Sequence, residues 1–213
     1  MPKGLSMHSS MIIGTAGFTA AECVQKLERS GMTPASGPVL VTGATGGVGS
    51  VAVKLLAQLG YEVAAVTGKE DKHDFLRSLG ASEILSREEA NAGSDKPMLA
   101  ERWGGVVDTV GGDILFNGVK SLRYGCSLAA CGLVAAPVFS ASVLPFILRH
   151  VNLLGIDSVQ LPIEEKAEIW HRLGDEWLMD LSDLEEVLTL DDVSDAIDRI
   201  LAGQMVGRGV VHL

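Results

Sequence analysis

The chain has 213 residues, with 17 Lys and Arg against 27 Asp and Glu, for a formal net charge of −10. That length predicts one large domain, or one domain with an added fragment. The acidic balance, without a basic run, argues against a nucleic-acid partner, whose phosphates need clustered Lys and Arg.

Cys23, Cys126 and Cys131 form no C-x-x-C pair, so neither a disulfide framework nor a zinc lobe is expected, and no metal is implied. No stretch approaches about 18 apolar residues and no apolar leader follows Met1, which reads as a soluble, reduced, cytoplasmic chain.

In chain order, residues 1–18 are small and mixed, with Gly14-Thr-Ala-Gly17 expected as a loop. Thr19-Ala-Ala-Glu22 has the form of a capping box, followed by a helix that Gly31 ends. Val39-Leu-Val-Thr42 is an apolar run too short for a helix, and Val48–Leu59 is helical. Tyr61–Thr67 is strand-like, Asp71–Leu79 helical, and Ile84-Leu85 a weak strand. Pro97–Trp103 is expected to be a helix, Val106–Val110 a strand, Ile114–Leu122 a helix and Ser127–Cys131 a strand. Ser142–Arg149 is a short helix and Leu153–Ile156 another strand. This alternation predicts right-handed crossovers and a doubly wound parallel sheet, an α/β fold.

After Ser158 the composition changes. Pro162–Trp177 reads as a polar helix with Ile163, Ala167, Trp170 and Leu173 at core spacing. Glu186–Leu190 and Gly209–Leu213 read as strands. Between them, Asp191–Leu201 is amphipathic, with Val193, Ala196, Ile197, Ile200 and Leu201 on one side. The organisation expected is an N-terminal segment and linking helix (1–35), a dinucleotide-binding Rossmann domain (36–160) and a C-terminal tail (161–213).

The strongest motif is Val39-Leu-Val-Thr-Gly-Ala-Thr-Gly-Gly-Val-Gly49, a strand running through a glycine turn into a helix. Gly46 is expected to make the sharp turn, Gly47 to let the backbone approach a pyrophosphate, and Gly49 to allow close helix–strand packing. The helix start near Val48 offers unpaired N–H groups and a positive dipole end. Ala44 stands where the strict G-x-G-x-x-G pattern begins, so the motif is a variant. A carboxylate at the tip of the second strand would select NADH. The tip here is Thr67-Gly68-Lys69, with Lys72 near, a hydroxyl and ammonium set that suits the 2′-phosphate of NADPH.

The chain resembles the medium-chain dehydrogenase/reductase superfamily, in its zinc-free quinone-oxidoreductase branch, and within that the acrylyl-CoA reductase (NADPH) family. The carriers are Met11–Ala20, Val41–Ser50, Leu79-Gly-Ala81, Val107–Gly111 and Ala130-Cys-Gly-Leu133, followed by Pro145–Arg149, Gly155–Val159 and Gly207-Arg208. The resemblance implies an NADPH-dependent reductase acting on an activated carbon–carbon double bond, such as an acrylyl thioester, or on a quinone. It places Ala44, Thr45, Gly46, Gly47, Val48 and Gly49 on the pyrophosphate, and Thr67, Gly68 and Lys69 on the 2′-phosphate. Arg87 falls on the adenosine side or is a surface helix-start charge, and Gly132, Leu133 and Ser158 approach the nicotinamide. Arg149 faces a substrate phosphate or pairs with an acidic neighbour.

Family members carry a GroES-like substrate domain ahead of the segment matching Met11, and the tail from about Leu161 normally returns to it. The chain is therefore expected to be truncated or to need its other half, and the alternative to a reductase is an NADPH-binding module without turnover. The resemblance also implies a homodimer through the edge strand Asn152–Asp157. It names no catalytic side chain.

Overall fold

The computed structural model describes residues 1–213. Runs of Val, Leu and Ala bounded by turns become six parallel strands: β1 (Val39–Val41), β2 (Val63–Val66), β3 (Glu83–Leu85), β4 (Gly105–Asp108), β5 (Ser127–Ala130) and β6 (Asn152–Gly155). Their order is β3-β2-β1-β4-β5-β6, the Rossmann arrangement, and β1 and β4 flank the point where the chain reverses its winding. Both faces are covered, so β1, β2 and β4 are buried at every position instead of alternating. The crossover helices are α2 (Gly47–Gln58), α3 (His73–Ser78), α4 (Arg87–Asn91), α5 (Gly112–Lys120) and α6 (Leu144–Arg149).

The N-terminal segment departs from expectation. Met7–Arg29 is α1, a helix kinked at Gly14, in place of a loop followed by a helix starting at Thr19. The helix starts at Ser6, where the Ser6 and Ser9 side chains cap each other's backbone N–H groups. The Thr19 hydroxyl donates back to Thr15 O at 2.7 Å, and Glu22 is buried, so the apparent capping box lies inside the helix. Gly14 and Gly17 read as loop residues, but the space beside Gly17 is taken by Ile13 and Val51, so that glycine serves helix-on-helix packing of α1 against α2.

Pro97–Trp103 is not helical either. Its backbone is satisfied by the end of α5: Leu99 N–H donates to Lys120 O at 3.2 Å, and Trp103 N–H to Ser121 O at 3.1 Å. The buried Lys120 ammonium donates to the carbonyls of Gly93, Ser94 and Lys96, which holds the preceding loop.

The tail forms α7 (Ile163–Leu173), β7 (Glu185–Leu188), α8 (Val193–Leu201) and β8 (Arg208–Val211), with β7 and β8 paired in parallel. On α7 the inward residues are Ile169 and Leu173, while Ile163 is exposed, because the helix lays a different stripe on α1 than the one first read. On α8 only Ala196 is buried, and Ile197, Ile200 and Leu201 face outward. The tail is nonetheless not a separate body. Ile169, Leu173, Trp177, Leu181, Leu184 and Val210 belong to one hydrophobic cluster with Ile13 and Leu27 of α1, Val51 and Leu55 of α2, and Val41 of β1.

Trp177 is fully buried under the Arg172 guanidinium, 3.6 Å from its ring centroid. Because that tryptophan lies in the shared core, Trp177→Ala is expected to lower the stability of the whole chain by about 3–5 kcal/mol. Thermal unfolding followed by circular dichroism should remain one transition with its midpoint lowered by about 10 °C. An unchanged main transition with a separate early melt would show the tail folding apart from the sheet.

Candidate functional site

The site begins where β1 and β4 end. Asp108, the last residue of β4, is fully buried and accepts the Thr42 hydroxyl at 2.7 Å on one carboxylate oxygen and Gly111 N–H at 2.8 Å on the other. Thr42 in turn accepts Thr109 N–H at 3.0 Å, and the Thr109 hydroxyl donates to Thr42 O at 2.8 Å. Burial pushes the Asp108 carboxyl above its ordinary range, against the pull of the Thr42, Gly111 and Val110 hydrogen bonds.

On this base sits the glycine turn. The sharp turn is made by Gly43, whose φ is +59°, and not by Gly46, whose extended backbone caps α2. A Cβ on Gly49 would collide with the Gly43 carbonyl, so α2 can lie this close to β1 only with glycine there. Ala44 stands behind the turn, with its methyl buried and its N–H donating to Val66 O at 3.0 Å. The N–H groups of Gly47, Val48 and Gly49 are those of the first helical turn, which has no intrahelical acceptor for them.

Above Gly47 lies Arg208, the first residue of β8. A Cβ on Gly47 would stand 2.7 Å from the guanidinium Nη1. The Arg208 Nε donates to Ile12 O at 2.9 Å, and burial pulls the guanidinium below its ordinary value with no acidic neighbour to restore it. A desolvated cation without a counter-ion, next to free helix N–H groups, is the electrostatic setting for a bound anion.

Two hollows flank the turn. One is lined by Thr42, Gly43, Thr45, Val66, Thr67, Gly68, Arg87, Val110, Ile114, Val134 and Ala135. The Thr67 hydroxyl accepts Lys69 N–H at 3.0 Å, and Arg87 leans over Gly68. Lys69 donates to Met205 O at 2.7 Å, and its ammonium is pulled below its ordinary value, first by burial, with the nearby charges of Lys72 and Arg87 adding to the fall against Asp71. Three cations thus gather at the tip of β2, while the exposed Glu70 opens a one-turn helix. The second hollow is lined by Thr15, Ala16, Thr19, Val48, Cys131, Ile156, Asp157, Ser158, Val159 and Arg208. Here the Ser158 hydroxyl lies 3.0 Å from Thr19 Oγ1, which can accept its proton while donating its own to Thr15 O.

Thr45, Gly47, Val48, Thr67, Gly68, Arg87 and Ser158 therefore line the two hollows or lie on the turn between them. Leu133 is exposed and lines neither; Val134 and Ala135, next in sequence, do so instead. Gly132 packs its main chain on Thr109, beside the Gly111 turn. Arg149 is turned away from both hollows, donating to Lys120 O and Leu99 O and pairing with Glu101 at 3.4 Å, so it holds loops and faces no ligand. Arg208 went without a role in the sequence reading; its signal was a cation opening an otherwise apolar strand after a glycine.

A glycine turn feeding a helix at the reversal point of a parallel sheet, with a cationic tip on the next strand, defines a dinucleotide-binding domain. The family described as zinc-binding dehydrogenase matches residues 47–175. The chain is 49% identical over 214 residues to the acrylyl-CoA reductase AcuI of Ruegeria pomeroyi, covering 100% of this chain and 65% of the relative. It superimposes on the yhdH oxidoreductase from Salmonella enterica in complex with NADP at a TM-score of 0.94 and 45% identity, covering 100% of this chain and 65% of the other. The Bacillus subtilis protein yhfP with NAD bound gives 0.96 and 43%, with the same coverage. The chain belongs to the zinc-binding dehydrogenase family and spans 65% of the length of these relatives.

The hollow lined by Ser158 contains only Cys131 and Asp157 as side chains able to ligate a metal. They do not make the three-ligand set of a catalytic zinc.

The raised Asp108 carboxyl has a consequence for stability. A folded-state value above the unfolded one gives stability that is full below the unfolded value, about 3.9, and is lost as pH rises through the folded one. The stability of the parent relative to Asp108→Asn is therefore expected to be lower at pH 7 than at pH 3.5, which lies below the unfolded value. Urea unfolding at both values checks this, and a difference that does not fall with pH would mean the carboxyl is not raised.

Proposed function

We propose that this chain is the cofactor-binding part of an NADPH-dependent, cytoplasmic reductase of activated carbon–carbon double bonds, such as an acrylyl thioester, or of quinones. The observation that carries the reading is the uncompensated Arg208 guanidinium beside the open N–H groups of Gly47, Val48 and Gly49. These residues fit a dinucleotide diphosphate: Gly47 leaves the space, the helix start donates hydrogen bonds, and Arg208 offsets the charge. Lys69, Thr67, Gly68 and Arg87 would hold the 2′-phosphate, and the apolar walls Val66, Val110, Ile114 and Val134 would take the adenine. Thr19, Gly132, Ser158 and Cys131 would border the nicotinamide. When bound, the reduced cofactor supplies a hydride for the electron-poor carbon of the substrate. The chain's own part is to orient that ring, exclude water from its sheet-side face and fix the phosphates.

Two of the relatives support this choice, one an acrylyl-CoA reductase and one an oxidoreductase in complex with NADP. The second reading, an NADPH-binding module without turnover, is favoured by the outward apolar face of α8. In that reading the chain is divided into 1–35, 36–160 and 161–213, and the tail would pack on a substrate domain through the outward face of α8. For assembly, β6 is an edge strand with Asn152, Leu153 and Gly155 exposed, which suits a homodimer extending the sheet through Asn152–Asp157.

Fluorescence titration should show NADPH binding about tenfold or more tightly than NADH. Lys69→Ala should remove most of that preference, whereas Arg208→Ala should weaken both about equally. Equal affinities in the parent would overturn the assignment of NADPH. With cofactor bound, NADPH oxidation on adding acrylyl-CoA supports the reductase reading, and binding without oxidation supports the module. For the dimer, sedimentation equilibrium should give twice the 22.4 kDa chain mass. A strictly monomeric chain would rule that interface out.

A further inference from the structure

His8, Glu185 and His212 are far apart in sequence and meet in space. His8 lies in the first turn of α1, Glu185 opens β7, and His212 follows β8. The His8 Nε2 is 3.0 Å from one Glu185 carboxylate oxygen and the His212 Nε2 is 3.3 Å from the other. The two imidazole rings meet edge to face with centroids 5.1 Å apart, and the three ligating atoms all lie within 4.8 Å of one another. No other set of three His, Cys, Asp or Glu side chains converges in this way.

We propose that this trio is a binding site for a borderline divalent transition-metal ion of the zinc type, separate from the cofactor hollows. Two imidazole nitrogens and one carboxylate oxygen are the ligand types such ions take, with water completing four-coordination. Bonds of about 2.0–2.1 Å in a tetrahedron put neighbouring ligand atoms about 3.3 Å apart. One edge is already near that length, 3.0 Å or 3.3 Å according to which Glu185 oxygen binds, and the other two, within 4.8 Å, close by rotation of the half-exposed imidazoles.

Glu185 supplies the fixed vertex. Its side chain is only 12% exposed, it reaches both rings, and its negative charge meets the ion's positive charge. The histidines, each about half exposed, leave a path for entry. An ion there clasps the start of α1, β7 and the exit of β8, drawing both ends of the chain onto the tail. None of the three residues lines the hollows that flank the glycine turn, so the site does not depend on the proposed function.

The test uses the 213-residue chain with zinc chloride as probe, in competition with a chromogenic chelator. The parent should hold one zinc per chain, and His8→Ala, His212→Ala and Glu185→Gln should each lower the affinity by about tenfold or more. Zinc in excess should raise the parent's melting temperature by about 5 °C and leave the variants' unchanged. Glu185→Gln keeps the side chain's shape and serves as the folded comparison if a histidine variant melts early without metal. The cobalt-loaded parent should show the strong visible absorption of a four-coordinate site with no thiolate charge-transfer band. Equal zinc affinity in the parent and the His8→Ala/His212→Ala double variant would overturn the proposal. So would a thiolate band, which would place the ion on a cysteine.

Discussion

The crevice exists because one buried carboxylate ties two strand ends together. Asp108 has no solvent, and its oxygens are used by Thr42, just past the end of β1, and by Gly111 from the loop after β4. Hydrogen bonds to a charged group contribute about 1.5–3 kcal/mol each, and leaving the donors unmet would cost a similar amount. Through this knot the exit directions of β1 and β4 are fixed relative to each other. The Gly43 turn, the Gly111 turn and the main-chain packing of Gly132 on Thr109 then follow at defined distances. A glycine-rich loop is permissive by itself, and the carboxylate is what makes this one single-valued.

The tail belongs to the same construction. Gly207 N–H donates to Thr45 O at 3.0 Å, and Lys69 reaches Met205 O, so the segment entering β8 is stitched to the glycine turn and to the tip of β2. Trp177, Leu181 and Leu184 anchor the approach to β7 in the main core. Burial of the Arg208 guanidinium without a carboxylate is unfavourable, and it persists because the surrounding packing positions the strand before the charge is considered. An arriving anion would meet a group already desolvated and oriented, so little further ordering would oppose binding.

How much of this was legible in the sequence differs by element. The central alternation was, because β1 and β2 are uniformly apolar, β4 is apolar up to its terminal Asp108, and each following helix stops at a glycine or turn. The kinked α1 was not, because Gly14 and Gly17 signal a loop locally, and only the contact of α1 with α2 shows why a small residue belongs inside that helix. Pro97–Trp103 carried enough apolar residues to suggest a helix, but its hydrogen bonds go to α5, a tertiary satisfaction that no local pattern encodes. Gly46 was read as the turn because the motif places glycine there; the backbone shows Gly43 with positive φ, one residue before the variant Ala44. His8, Glu185 and His212 were invisible because their convergence depends on the register of β7 with β8.

The tip of β2 shows how a weak local signal gains meaning from the field around it. Lys69 by itself is a half-buried ammonium spending one proton on Met205 O, a contact any lysine could make. Burial and the charges of Lys72 and Arg87 all disfavour its positive form, with Asp71 opposing them. Cations gathered in this way repel one another, and a dianionic phosphate among them would add an attraction to each that offsets that repulsion. Under the proposed function, discrimination at this position would reside in the gathered charge and not in one hydrogen bond. An added hydroxyl, which meets the same tip without the two charges, would leave the repulsion in place.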